Sequence, residues 1–304
     1  MTDFDLPQNP PANFELRVYN KFKGELSAVE RKYFEGNNLP GLRQKPDTGS
    51  FAYSDTEKSA DEQRLTEKQK TAQGDPNYLR AKIMEHFLAQ VVELEDWLGP
   101  DTFTTEVSDF DDWFHGVDSV IEFNGSEPIR LAVDFTFDSS AEKLSRKLEP
   151  IFREIEDGNL AQVKYFVSQV DNHPRQLQHL PKLVIALEPK TLNDLLSKSK
   201  EELANHWARL AILFELQSQL SFFIKYSKNT NRPGYDAAKS LEIEKAYLPV
   251  LDKIRGLIET ALADVRSRFP KNTAPPDEAQ FRAMLVQGLA RRDRAFGALV
   301  GVIQ

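Results

Sequence analysis

The chain has 304 residues, 40% hydrophobic and 28% charged, long enough to bury a sizeable core in one large domain or two modest ones. A formal net charge of −8 provides no global basic field, so any nucleic-acid binding must rest on a local patch. Cysteine is absent, which excludes disulfides, iron–sulfur clusters, thiolate zinc sites and cysteine nucleophiles.

The start, Met-Thr-Asp-Phe-Asp-Leu-Pro, is acidic and lacks a signal-peptide core, and no apolar run approaches a membrane span; the expected location is the cytoplasm. Residues 1–13 are rich in Pro and Asn and predict disorder. Phe14, Val18, Phe22, Leu26 and Val29 predict an amphipathic helix over 14–35. Residues 36–77 read as a long linker, with a polar helix at 57–72. After Asp75-Pro76, the stripe Leu79, Ile83, Phe87, Val91, Leu94 and Leu98 predicts a helix over 78–98 that Gly99-Pro100 ends. Short β segments follow at 102–108, 117–123 and 129–137. Ser139-Ser140-Ala141-Glu142 opens a helix over 141–157, striped by Leu144, Leu148, Ile151 and Ile155 and closed by Gly158. Strands at 162–168 and 183–187 flank a polar loop holding His173 and His179. Helices then dominate, at roughly 191–227, 236–269 and 277–300, with a linker at Pro270–Pro276 between the last two. The expected division is an N-terminal extension and linker (1–77), an α/β core (78–190) and a helical region (191–304). That region either packs on the sheet or forms a homodimer interface.

The segment 112–137 carries the chemistry. Asn124-Gly125 between two apolar, β-branched runs is a hairpin signal. Closing the hairpin about Ser126 sets Glu122 opposite Arg130, a cross-strand ion pair, and Asp118 opposite Asp134. Like charges directly opposite destabilise a sheet, and a divalent cation between them is the simplest reason for the pair. Alternation puts Asp134 and Thr136 on one face, with Val133, Phe135 and Phe137 on the other. Glu85, Glu93 and Glu95 on the helix over 78–98 are further carboxylates within reach of the hairpin. Such a set suits Mg²⁺, or Mn²⁺, which takes oxygen ligands, lowers the pKa of an attacking water and stabilises charge on a phosphodiester.

Plainer readings stand beside these. Asp118 also fits as a turn cap before its strand, Glu85 as the polar face of a helix, and Lys164 as a solvent-facing strand residue. Asp134 resists such a reading, because an Asp within an apolar strand is disfavoured by propensity and burial. His115 reads as a loop histidine, and His173 and His179 lack the spacing of a zinc site. His206 reads as core, and Arg291-Arg292-Asp293-Arg294 as a solvated helix face. Gly-rich phosphate loops and Gly-x-Ser-x-Gly elbows are absent, which argues against kinases, P-loop NTPases and α/β-hydrolases.

The order helix, three-stranded meander, helix, strand over residues 78–190 resembles the PD-(D/E)xK nuclease superfamily. Gly116-Val117-Asp118 stands in the place of the family's first Asp motif, and Val133-Asp134-Phe135-Thr136 in that of its acidic-x-Lys motif. The chain also looks like uncharacterised bacterial members with an Asp-x-Thr variant. The resemblance implies an α/β fold, a small mixed β-sheet flanked by helices (a restriction-endonuclease-like core), followed here by a C-terminal helical region. It implies metal-dependent hydrolysis of DNA or RNA, with Asp118, Asp134 and Glu85 as metal ligands. Thr136 departs from the pattern, since it can hydrogen-bond a water but brings no positive charge. Lys164 is the nearest substitute for the motif lysine, with Lys143 and Lys147 behind it. Lys143, Arg146, Lys147 and Arg153 form a local basic patch for phosphates. The rival expectation is a nuclease fold without catalysis, serving as a nucleic-acid-binding or protein-interaction module.

Overall fold

Alternation along β2 (Ser119–Phe123) and β3 (Ile129–Thr136) decides which face of the sheet meets the helices. The computed structural model describes residues 14–37, 39, 46, 48–137, 139–267 and 277–303; the disorder expected at 1–13 and the linker at 270–276 lie outside these residues. Ile121, Phe123, Leu131, Val133 and Phe135 enter the main hydrophobic core. Val120 and Ala132 enter a smaller cluster with Val163, Phe166, Leu177 and Leu180. β1 (Thr102–Glu106) pairs antiparallel with β2, and β2 with β3. β6 (Lys182–Ala186) lies parallel to β3 and completes a four-stranded mixed sheet in the order β1-β2-β3-β6. The hairpin register sets Glu122 opposite Arg130, whose Nε donates to Glu122 Oε1 at 2.9 Å.

Local chemistry explains where the flanking helices begin and end. α4 (Pro76–Glu95) starts on Asp75, whose Oδ1 accepts the Tyr78 N–H at 2.7 Å, and Pro76 sits in the first turn where no N–H is needed. α6 (Ala141–Asp157) starts on Ser140 and stops at Gly158, which takes the left-handed conformation (φ 72°) that favours glycine. Its buried stripe is Leu144, Leu148, Ile151 and Ile155, as the spacing predicts. Between β1 and β2 lies α5 (Asp109–His115), capped by Ser108 and ended by Gly116 at φ 60°; the strand pattern gives no hint of it.

β4 (Ala161–Val167) is a strand, but not of the main sheet. It pairs with β5 (Pro174–Leu180) in a separate two-stranded sheet laid over Val120 and Ala132. β5 falls in the stretch expected to be a loop. Only Leu177 and Leu180 are buried along it, too few to show a strand period.

The helices from residue 189 onward are α7 (Pro189–Leu196), α8 (Lys200–Leu203), α9 (Trp207–Ser227), α10 (Ala237–Ser267), α11 (Glu278–Arg292) and α12 (Arg294–Val302). α9 satisfies the outer edge of β6 with side chains. Gln219 Oε1 accepts the Val184 N–H at 2.9 Å, its Nε2 donates to Val184 O at 2.6 Å, and Glu215 accepts the Ala186 N–H at 3.2 Å. Two side chains thus stand in for a fifth strand and close an edge that would otherwise template aggregation. Burial pushes the Glu215 carboxyl well above the ordinary carboxylate range.

The N-terminal segment contributes to the main core. Residues 14–35 form two helices, α1 (Phe14–Phe22) and α2 (Ala28–Gly36), broken where Ser27 caps the second with a capping box to Glu30. Val18, Tyr19, Leu26 and Phe34 share one hydrophobic core with the sheet and with Phe296 and Leu299 of α12. α3 (Asp55–Thr71), in the stretch read as a linker, has no apolar stripe and is held by polar contacts described below. Among the described residues no helix is long and apolar enough to cross a membrane.

Candidate metal and phosphate cleft

Beyond Val120 and Ala132 the same sheet face continues to Asp118 and Asp134. These line an open cleft of about 530 Å³ together with Lys82, Asp112, Thr136, Lys143, Arg146 and Lys147. Asp118 sits one residue before β2. Its backbone N–H donates to Val133 O at 2.9 Å, and its Oδ2 accepts the Phe135 N–H at 2.7 Å. It therefore caps the strand pair and faces the cleft at once. Asp134 accepts from Lys147 Nζ through both oxygens, at 2.9 and 3.1 Å. Burial alone would lower the Lys147 pKa, but Asp134 and Asp118 outweigh it and hold the ammonium protonated above its ordinary range.

Glu85 is buried, and Lys82 stands before it. Lys82 Nζ lies 2.8 Å from Glu85 Oε1, 2.7 Å from Asp112 Oδ2 and 3.7 Å from Asp118 Oδ1. Neither Lys82 nor Asp112 was among the expected site residues. Their pairing joins α4 to α5 across 30 positions, and only the Lys82–Glu85 spacing on one helix is visible in the sequence. Glu95 lies 3.8 Å from Lys200, and the Glu93 side chain lies outside the described residues.

Lys164 is not at the cleft. Because β4 belongs to the second sheet, its ammonium reaches α3 instead, donating to Asp61 Oδ2 at 2.6 Å and Glu57 Oε1 at 2.9 Å, 4.6 Å from the Tyr53 ring centre. Burial opposes its charge, but the two carboxylates raise its pKa above the ordinary range. Lys164 is thus the clasp that fastens α3, and Lys147 is the lysine that meets Asp134. The basic patch shrinks similarly: Lys143, Arg146 and Lys147 line the cleft, while Arg153 pairs with Glu149 one turn away on the exposed side of α6.

A second groove of about 830 Å³ shares Gly116, Asp134, Arg146 and Lys147 with the first and adds His115, Gln162, His179 and Lys182. Asp134 thus stands where the two meet. His115 ends α5 rather than lying in a loop, and its Nδ1 is 2.7 Å from Asp111 Oδ1. His206 is a helix cap whose Nδ1 accepts the Ala208 N–H at 3.2 Å, with Nε2 3.0 Å from Asp194. In the Arg-rich C-terminal run Arg291, Arg292 and Arg294 are exposed, as expected of a solvated face, while buried Asp293 caps α12 and accepts the Glu188 N–H, and Arg294 pairs with Glu188.

The donor set fits a hard divalent cation. Four carboxylates (Glu85, Asp112, Asp118 and Asp134) share the ammonium groups of Lys82 and Lys147, and Lys143 and Arg146 also line the cleft, so carboxylate oxygens and cations stand there side by side. Carboxylate oxygens are the ligands Mg²⁺ and Mn²⁺ take, usually one or two with the rest water. Among the described residues no three His, Asp or Glu side chains converge as a preformed cage, so a cation bound here would depend on the two aspartates and solvent. Comparison with protein-family models, with curated proteins and with solved structures found no match to this chain.

Proposed function

We propose that this cleft hydrolyses phosphodiester bonds of DNA or RNA with Mg²⁺ or Mn²⁺, on a restriction-endonuclease-like core of the PD-(D/E)xK type. The observation that carries the reading is that Asp118 and Asp134 line one open cleft, with Lys147 bonded to Asp134. The element order also supports it: helix, three antiparallel strands with the short α5 between the first two, helix, the β4-β5 excursion, then a strand parallel to the third. A cation held by Asp118 and Asp134, with Glu85 behind Lys82, would supply Lewis acidity and a more acidic bound water. Lys147 balances charge at Asp134 and takes the role that Thr136 cannot fill. Thr136 offers a hydroxyl to hold a water, and Lys143 and Arg146 along α6 contact flanking phosphates.

One observation favours the non-catalytic alternative, a nucleic-acid-binding or protein-interaction module: the Lys82 ammonium already neutralises carboxylates at the cleft floor. Incubation with single-stranded and duplex DNA and RNA in Mg²⁺ or Mn²⁺ separates the two. Cleavage by wild type that Asp134→Ala abolishes supports the nuclease; binding of the same substrates without cleavage supports the module.

A further inference from the structure

The second groove presents a histidine held by a buried carboxylate. Asp111 accepts the backbone N–H groups of Lys164 at 2.6 Å and Tyr165 at 3.0 Å and the Ser108 hydroxyl at 2.6 Å. These bonds fix the carboxylate, which is 0% exposed, and its Oδ1 meets His115 Nδ1 at 2.7 Å. A carboxylate so placed takes the Nδ1–H and leaves Nε2 as the working ring atom. Gln162 Nε2 donates to the Nε2 of the neutral ring at 3.3 Å, and once the ring is protonated the same amide, turned over, accepts the Nε2–H through its oxygen; both residues line the groove. Other charges face the ring from α6 and β6. Glu154 is within electrostatic reach, and Lys182, paired with Glu154, donates to the His115 carbonyl at 3.3 Å. From α5 itself the Phe110 ring meets the imidazole edge-on, 5.6 Å between centres.

We propose that Asp111 and His115 form the proton-donating pair of the cleft, with His115 Nε2 protonating the leaving oxygen of the nucleic-acid phosphodiester. The inference rests on the hydrolytic reading above. In a phosphoryl displacement the attacking and leaving oxygens lie roughly in line through phosphorus. Asp118 and Thr136 line only the first cleft, His115 lines only the second, and Asp134 lines both. A phosphate at Asp134 and Lys147 therefore has the attacking water on the Asp118 side and the departing oxygen on the His115 side. As the water oxygen bonds to phosphorus, the bond from phosphorus to the sugar oxygen breaks and its electron pair stays on that oxygen. The imidazolium Nε2–H proton moves to it. The water's released proton passes to solvent, and the neutral imidazole regains a proton from solvent, its charged form stabilised by Asp111.

The test compares an ordinary oligonucleotide linkage with linkages carrying a bridging sulfur at the 3′ or the 5′ position, since a thiolate leaves without a proton. His115→Asn keeps an N–H for Asp111 and removes Nε2; His115→Gln is the second variant, and thermal melting confirms that each folds. The expected result is a fall in kcat of about 100-fold or more on the oxygen linkage. On one of the two sulfur linkages the loss shrinks to about tenfold or less. Equal losses on oxygen and sulfur linkages, or no loss on either, would overturn the proposal while leaving hydrolysis standing. Wild type inactive on every linkage would overturn hydrolysis and this proposal together.

Discussion

Replacing Lys82 by Met keeps an unbranched stem and removes the ammonium that joins Glu85, Asp112 and Asp118. At an effective dielectric constant of about 20, a unit pair 2.8 Å apart, the Lys82–Glu85 separation, attracts by about 6 kcal/mol. Desolvation of the two groups offsets most of that. The loss is therefore set by the carboxylate left behind. Glu85 is 1% exposed and stays buried, whereas Asp112 at 19% and Asp118 at 10% can turn to water. Breaking a buried pair from one side costs about 3–5 kcal/mol. At roughly 2–4 °C per kcal/mol for a chain of this size, Lys82→Met should melt about 6–20 °C below wild type in EDTA. A divalent cation bound by the uncovered carboxylates restores part of that loss by mass action, more than it stabilises wild type. Calorimetry with EDTA and with millimolar Mg²⁺ reads both effects. A variant melting with wild type in EDTA would refute the structural part of the argument. A destabilised variant indifferent to Mg²⁺ and Mn²⁺ would refute the claim that these carboxylates hold a cation.

Further predictions concern other parts of the fold. Lys147→Ala should lower cleavage about 100-fold or more, the range of a lost transition-state group. Lys164→Ala should leave kcat unchanged and instead expose α3 to proteases; equal losses of activity in the two variants would contradict the assignment of Lys147. Gln219→Ala removes two hydrogen bonds to Val184 and should cost about 2–6 kcal/mol in urea unfolding, since each stranded buried backbone group costs roughly 1–3; a loss under about 1 kcal/mol would show that β6 does not need this cover. Glu215 has a folded pKa above its ordinary value near 4.5, so its stabilising proton is present at low pH and the benefit is lost as pH rises from that value toward the folded pKa. Each pH unit in that window costs about 1.4 kcal/mol, and Glu215→Gln should remove this dependence above pH 4.5; parallel slopes for variant and wild type would sink the argument.

Local signals in the sequence were decisive where structure is local. Asn124-Gly125 fixed the hairpin register from Ser119↔Val133 to Phe123↔Ile129, and the same face leads on to the cleft that Asp118 and Asp134 line, because a two-fold side-chain period leaves few ways to close a turn. The apolar stripe and Gly158 marked α6 end to end. The Ser108-x-x-Asp111 cap was a readable sign of α5 that the surrounding β pattern masked. What sequence could not convey was which strand pairs with which. The run Val163-Lys164-Tyr165-Phe166 is plainly a strand, yet its sheet depends on β5, whose exposed Arg, Gln and His residues hide its period. That single long-range choice moved Lys164 from the cleft to α3. Lys82 and Asp112 were invisible for the same reason, since their meeting depends on how α4 and α5 pack rather than on either segment.

Manganese binding followed by electron paramagnetic resonance addresses the two-aspartate site without waiting for a substrate. Wild type should bind Mn²⁺ in a way that added Mg²⁺ displaces, and Asp118→Asn and Asp134→Asn should each lose that binding while remaining folded. Wild type that leaves all Mn²⁺ free in solution, or asparagine variants that bind it as wild type does, would contradict the assignment of this cleft as a metal-dependent phosphodiesterase site.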